Sequence, residues 1–239
     1  MRYRVDTRGM AGFQNHLIEL LPQARRRALL ALCEPIDLVL SDLICASGET
    51  PHYAYFPVNG IISLVTAIDG RPVLEVGMVG REGMVGAELV LGVLRSPLHA
   101  VVQGAGKAWR VPSADFRREL ARSTALRRCL DRYLYVLMAQ LGSSAACLRF
   151  HLIGPRLARW LLMMQDRAHS NRFHVTHEFL AYMLGVRRVG ITSAASNLQR
   201  SSLIEYRRGE LVVLDREGLE AASCGCYAAD RLAYSTLLG

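Results

Sequence analysis

The chain has 239 residues, 51% of them hydrophobic, and a formal net charge of +8. That length fits two modest domains better than one, and the apolar fraction excludes a disordered tail because it supplies real cores. The positive balance favours nucleic acid or an anionic surface as partner; it rests on arginine, with Lys107 the sole lysine, and arginine suits bidentate recognition of phosphate and guanine.

From about Phe13 to Leu32 the pattern is helical, with Leu17, Leu20, Leu21, Ala28 and Leu32 apolar around the Arg25-Arg26-Arg27 run. Residues 35–112 change character. Short apolar segments (Ile36–Leu40, Ile61–Ala67, Val73–Val79, Ala100–Val102, Ala108–Val111) alternate with turn signals at Ser47-Gly48, Asn59-Gly60, Asp69-Gly70, Gly80, Gly83 and Gly104-Ala105-Gly106. Many short strands punctuated by glycine predict an antiparallel barrel or sandwich, and Asp69-Gly70 is a hairpin signal. The glycine-rich stretch 77–86 lacks Gly-Lys-Ser/Thr, so it reads as turns between strands rather than a phosphate loop. If it lines a pocket instead, Glu82 or Glu88 can hydrogen-bond a ligand hydroxyl.

From Ser113 to about Leu148 the period becomes helical, with Ser113 as the expected N-cap and Leu126, Leu130, Tyr133, Leu137, Leu141 and Leu148 as one stripe. A further helix spans 156–168, opened by Gly154-Pro155, with Leu157, Trp160, Leu161 and Met164 inward. Residues 177–196 have helix-turn-helix spacing: Ala181 is small where two helices cross, Gly185 stands at the bend, and Leu180, Leu184, Val186, Ile191 and Ala194 are apolar. Arg187, Arg188, Val189, Thr192, Ser193 and Ser196 are left facing outward, a short, polar, positive face suited to a major groove. Thr176 is the expected N-cap of the first helix and also offers a hydroxyl to a phosphate. Two short strands joined at Arg208-Gly209 follow as a wing, and a helical tail closes the chain.

The order of barrel, long helix and winged helix-turn-helix resembles the Crp/Fnr family of bacterial transcription regulators. The likeness is carried by Tyr55–Leu64, by Arg156–Leu161 and by Val175–Leu214, and runs from about residue 15 to 216. It implies an α+β fold with an N-terminal antiparallel β-roll or jelly-roll barrel of cyclic-nucleotide-binding type. A long dimerisation helix and a C-terminal winged helix-turn-helix would follow. The expected segments are a sensor domain over 13–120, the linker helix over 121–148, the DNA-binding domain over 149–216 and a tail over 217–239. The resemblance also implies a homodimer on a near-palindromic operator. Two half-sites need two reading heads, so the Leu126, Leu130, Tyr133, Leu137, Leu141 stripe is read as the dimer seam rather than as packing within one chain. Members that bind cyclic AMP carry a Gly-Glu and an Arg-Ser/Thr-Ala at the pocket. Here the corresponding positions are Gly86-Ala87-Glu88 and Leu98-His99-Ala100, so leucine replaces the phosphate-neutralising arginine. Glu82, Gly86, Glu88, Leu98 and His99 remain the candidate effector-pocket residues, for an effector the sequence does not name.

Arg188 is expected on base edges, foremost guanine; Arg187, Thr192 and Ser196 suit phosphates, and Val189 a thymine methyl. Val189 and Ser193 replace the Glu and second Arg of the familiar reading pattern, so the operator does not carry over from relatives. Arg207 and Arg208 in the wing are phosphate candidates. The expected partners are double-stranded DNA and a second copy, with RNA polymerase a further candidate and no membrane. No apolar run reaches about 18 residues and no signal peptide opens the chain, so a cytoplasmic protein with reduced thiols is expected. Six cysteines are scattered, and Cys224-Gly225-Cys226 is the one close pair. Without a second Cys/His pair following it, no metal or cofactor is expected, and a redox role is the minor alternative. The rival to a DNA-reading regulator is a small-molecule or redox sensor whose C-terminal domain makes protein contacts. Eleven arginines against six carboxylates over 149–217 argue for DNA. Enzymatic activity is not expected, since no nucleophile–base pair or cofactor fingerprint is present.

Overall fold

Two short helices, α1 (His16–Glu19) and α2 (Gln23–Leu30), lead into a run of strands. The computed structural model describes residues 14–66 and 74–239, so the Phe13 helix start and the Asp69-Gly70 turn lie outside the described residues. Asn15 begins α1 as its N-cap. Fully buried, it accepts from the Leu17 amide and donates to the carbonyls of Pro57 and Gly83, which removes the cost of burying an amide.

The strands are β1 (Glu34–Leu38), β2 (Leu43–Cys45), β3 (Tyr53–Pro57), β4 (Ile61–Thr66), β5 (Leu74–Val79), β6 (His99–Gly104) and β7 (Gly106–Pro112). They form two antiparallel-type sheets, ordered β1-β7-β3 and β2-β6-β4-β5, the expected antiparallel barrel. Neither β3 nor β4 alternates buried with exposed: four of the five residues of β3 and five of the six of β4 are buried. Both faces of these strands are therefore covered, which is why the sequence shows continuous apolar runs there. Phe56 and Phe116 meet at 6.2 Å between ring centroids inside this core, and Leu17, Ile18, Ile61, Ile62 and Leu89 are buried as well.

The helical run expected from Ser113 is two helices, α3 (Ser113–Arg122) and α4 (Thr124–Phe150). Ser113 is the first helical residue of α3 rather than its cap; Pro112 holds the cap position, and the Ser113 hydroxyl donates to the Pro51 carbonyl. The break falls at Ser123, extended at φ −118° and ψ 98°, whose Oγ accepts from the Leu126 amide. A serine that caps the following helix interrupts a run that apolar periodicity alone makes continuous.

Beyond α4 come α5 (Ile153–Ala168), β8 (Arg172–His174), α6 (His177–Leu184), α7 (Arg188–Arg200), β9 (Ile204–Arg207), β10 (Glu210–Val213), α8 (Arg216–Ala222) and α9 (Cys226–Leu238). The chain divides into two compact units. Among the described residues, one is chiefly 14–63 with Val79–Tyr135; the other is chiefly 64–66 and 74–78 with Val136–Leu237. In the second unit α5 is the central beam: Leu157, Ala158, Leu161 and Leu162 are fully buried, with Trp160 and Met164 nearly so. Among the described residues no helix is long and apolar enough to cross a membrane.

Candidate nucleic-acid interface

The interface begins at Thr176, whose hydroxyl accepts from the Phe179 amide and caps α6. Leu180, Ala181 and Leu184 bury the inner face of α6. Gly185 ends the helix at φ 62° and ψ 41°, and its amide bonds the carbonyls of Ala181 and Tyr182. Only glycine takes that left-handed conformation without cost, so the chain reverses here and starts α7 three residues later. A Cβ on Gly185 would also stand 2.7 Å from Leu74 Cδ1.

Ile191, Ala194, Ala195 and Leu198 turn α7 inward. Arg188, Val189, Thr192, Ser193 and Ser196 are all exposed on its other face, Val189 at 73%. Arg187, assigned by pattern to the same helix, stands one residue before it as the N-cap, also exposed. Gly190 has a packing reason: a Cβ there would meet Ile153 Cδ1 of α5 at 2.7 Å. Its neighbour is thus the start of α5. Arg156 of α5 is buried and donates to the Leu184 carbonyl, one of the unpaired carbonyls at the end of α6.

The wing is the β9–β10 hairpin. Arg208 (φ 52°) and Gly209 (φ 85°) are both left-handed, as a tight two-residue turn between right-twisted strands requires. Arg207 and Arg208 are exposed at its tip. A strand that sequence reading missed, β8, pairs with β10 and widens the wing to three strands in the order β8-β10-β9. At three residues, Arg-Phe-His, it shows no legible period.

His177 and Tyr206 were also missed. Their rings stack at 4.5 Å and 14°, joining α6 to the wing, while the Tyr206 hydroxyl donates to the Val175 carbonyl. His177 Nδ1 lies 3.1 Å from Thr192 Oγ1, which also donates to the Arg188 carbonyl. Burial, and then the Arg188 guanidinium, lowers the His177 pKa, which favours the neutral ring. Nothing in the sequence marks this triad, because His177, Thr192 and Tyr206 become neighbours only when the wing folds back.

The barrel candidates serve several ends. Glu82 Oε1 accepts from the Gly80 amide, closing the tight turn on which it sits. Gly86, at φ 95°, opens a 3-10 turn (Ala87–Leu89), and a Cβ there would press on the backbone of Tyr53 and Ala54 at 3.3 Å, so its role is local packing. Glu88 is half-buried, and burial raises its carboxyl pKa. Leu98 offers its carbonyl to the Ser96 hydroxyl, and His99 Nδ1 accepts from the Ser47 amide. Glu88 thus combines partial burial with a perturbed ionisable group.

On α4 the expected seam needs correction. Leu126, Leu130 and Tyr133 are 2%, 0% and 4% exposed within their own chain, and the Tyr133 hydroxyl donates to the Met84 carbonyl. They fill the core of the first unit and have no surface left for a second copy. Leu137 and Leu141 are half-buried. The exposed large apolar side chains of α4 are Tyr135, Met138 and Phe150, at 62%, 68% and 75%; Tyr135 and Met138 share a face with exposed Gly142 and Ala145. Finally, Cys224 and Cys226 do have a second pair beside them: Cys147 Sγ is 3.5 Å from Cys224 Sγ, and His151 Nδ1 is 3.6 Å from Cys226 Sγ. That pair precedes them in sequence, with Cys147 and Cys224 77 positions apart, so local spacing does not reveal it and the expectation of no metal partner is corrected.

Known proteins agree with this architecture. The family described as a Crp-like helix-turn-helix domain matches residues 155–222, and the family described as a cyclic nucleotide-binding domain matches residues 38–123. Among solved structures, FixK2 from Bradyrhizobium japonicum superposes with a TM-score of 0.69 at 15% identity, covering 80% of this chain and 98% of that one. A CRP-family transcriptional regulator from Thermus thermophilus gives 0.64 at 20% identity, covering 79% and 96%. The c-di-GMP-responsive global regulator CLP of Xanthomonas campestris gives 0.60 at 17%, covering 80% and 99%. At these identities the likeness is one of fold. No curated protein matches the chain significantly in sequence.

Proposed function

Because the chain belongs to the Crp/Fnr family of transcriptional regulators, we propose that it works as a homodimer on a near-palindromic operator without catalysing a reaction. The observation that carries this reading is the exposed polar and positive face of α7, Arg188, Val189, Thr192, Ser193 and Ser196, flanked by the cap Arg187 and the wing arginines. Inserted into a major groove, the first turn of α7 brings Arg188 to base edges. Thr176, Arg187, Arg207 and Arg208 lie where backbone phosphates pass. The rival reading, a head that makes protein contacts, has no observation in its favour.

A second copy docks on the solvent face of α4, through Tyr135, Met138, Gly142 and Ala145. Small residues there let two helices approach closely. An effector, where one acts, must bind one arrangement of the two reading heads better than the other. The half-buried Glu88 is the group in the barrel best suited to meet it.

The test is a DNA-binding titration on fragments recovered by genomic footprinting. Arg188→Ala should cost about 1–3 kcal/mol, roughly a 5- to 150-fold loss, and should relax discrimination at one base pair of each half-site. Undiminished affinity and sequence preference in that variant would remove Arg188 as a base reader.

A further inference from the structure

The second unit also gathers four metal-binding side chains. Cys147, His151, Cys224 and Cys226 each offer one ligand atom, and these atoms all lie within 4.8 Å of one another. We infer that these four residues form a tetrahedral, thiolate-rich site for a divalent cation of the zinc class, pinning the end of α4 to the connection between α8 and α9.

The geometry is that of a single ion. With metal–sulfur bonds of about 2.3 Å, the ligands at the corners of a tetrahedron stand about 3.8 Å apart. The Cys147–Cys224 and Cys226–His151 separations of 3.5 and 3.6 Å are close to that edge. A multi-iron cluster would have to fit several metal and sulfide atoms among ligands already this close together. Each pair is also placed by its backbone. Cys147 and His151 are four residues apart at the end of α4 and so project from one side of it. Cys224 follows the C-cap of α8, and Cys226 is the first residue of α9, so the intervening Gly225 carries the chain round between two ligands.

The donor set selects the ion. Three sulfurs and one imidazole nitrogen suit a borderline-soft cation and disfavour magnesium or calcium, which take oxygen. Three thiolates and a dication leave one net negative charge. The buried Arg159 and Arg156 lie in the field of Cys147 and Cys224 and offset it. Arg159 is also tied to Asp230 of α9 at 2.7 Å, which fixes it beside the thiols. Cys147 Sγ and Cys224 Sγ lie within hydrogen-bond distance of each other, and loading would displace thiol protons to solvent. Cys147 and Cys224 are buried, whereas His151 and Cys226 are partly exposed and leave the ion a way in.

The test uses full-length protein, reduced and stripped with a chelator, then titrated with Co²⁺ alone under exclusion of oxygen. Strong visible absorption of tetrahedral cobalt should grow together with a thiolate-to-cobalt charge-transfer band. Both should reach a plateau near one ion per chain, and Zn²⁺ should bleach them. The paired change Cys224→Ser and Cys226→Ser should abolish both bands. His151→Gln, at a partly exposed position where folding is not at stake, should weaken cobalt binding at least tenfold with an unchanged far-ultraviolet circular dichroism spectrum. Cys45→Ser should leave both bands intact. A weak octahedral spectrum, a plateau far from one ion per chain, or bands that survive the paired cysteine change would overturn the assignment. So would reduced protein that binds no cobalt and yields only a Cys147–Cys224 disulfide in air.

Discussion

One imidazole, that of His177, touches α6, α7 and the wing at once, through its own helix, Thr192 and the Tyr206 ring. Burial and Arg188 lower its pKa, so below the ordinary histidine value of about 6.5 the folded protein binds fewer protons than the unfolded chain. The contribution is complete above that value and is lost as the pH falls through the lowered one. Urea denaturation at about pH 7.5 and about pH 5.5 should show stability falling with acid, and His177→Gln should shallow that slope; an unchanged slope in the variant would clear His177 of the effect. Gly185 tests the bend. Gly185→Ala places a Cβ at φ 62° and against Leu74, so unfolding free energy should drop by about 1–2 kcal/mol or more, read as a lower urea midpoint with unchanged slope. Gly185 was legible in the sequence because a bend between two helical periods calls for glycine. His177 was not, because its partners come from elements that sequence spacing does not bring together.

At the scale of elements, α4 shows how far periodicity reaches. The stripe of Leu126, Leu130 and Tyr133 correctly marked a buried face, but an apolar stripe does not say what buries it, and here it is the chain's own core. The solvent face was hidden because two of its four positions are Gly142 and Ala145, which carry almost no hydrophobic signal. The two faces separate experimentally. Leu130→Ala should cost about 2–5 kcal/mol of stability while leaving the oligomeric state unchanged. The paired change Tyr135→Glu and Met138→Glu, at exposed positions, should leave stability nearly intact and yield monomers in sedimentation equilibrium. If the Leu130 variant dissociates and the Glu pair does not, the proposed seam is on the wrong face. The reading head was the opposite case. Its signals, a cap, a glycine bend, an amphipathic helix and an Arg-Gly turn, are local, so the α6–α7 motif and the β9–β10 wing were legible, whereas the three residues of β8 were not.

Over the whole molecule, the net charge of +8 became informative once the fold showed where the arginines stand. The barrel and the head could be read from sequence because each is built from consecutive segments. The meeting of Cys147 with Cys224 could not, since 77 residues separate them. Arg187, Arg207 and Arg208 are exposed on the α7 and wing side of the second unit. Paired through α4, two chains would set about six such arginines on phosphates. Each neutralised phosphate releases condensed counterions, so log affinity should fall with log salt at a slope of about −5. Arg207→Ala with Arg208→Ala removes about four of those contacts per dimer and should flatten the slope by about 3 to 4, weakening operator and random DNA alike. Arg188→Ala, acting on bases, should change the operator's advantage over random DNA far more than it changes the slope. A wing variant that loses sequence preference while keeping its salt dependence would reverse the two roles and place the wing, rather than α7, on the bases.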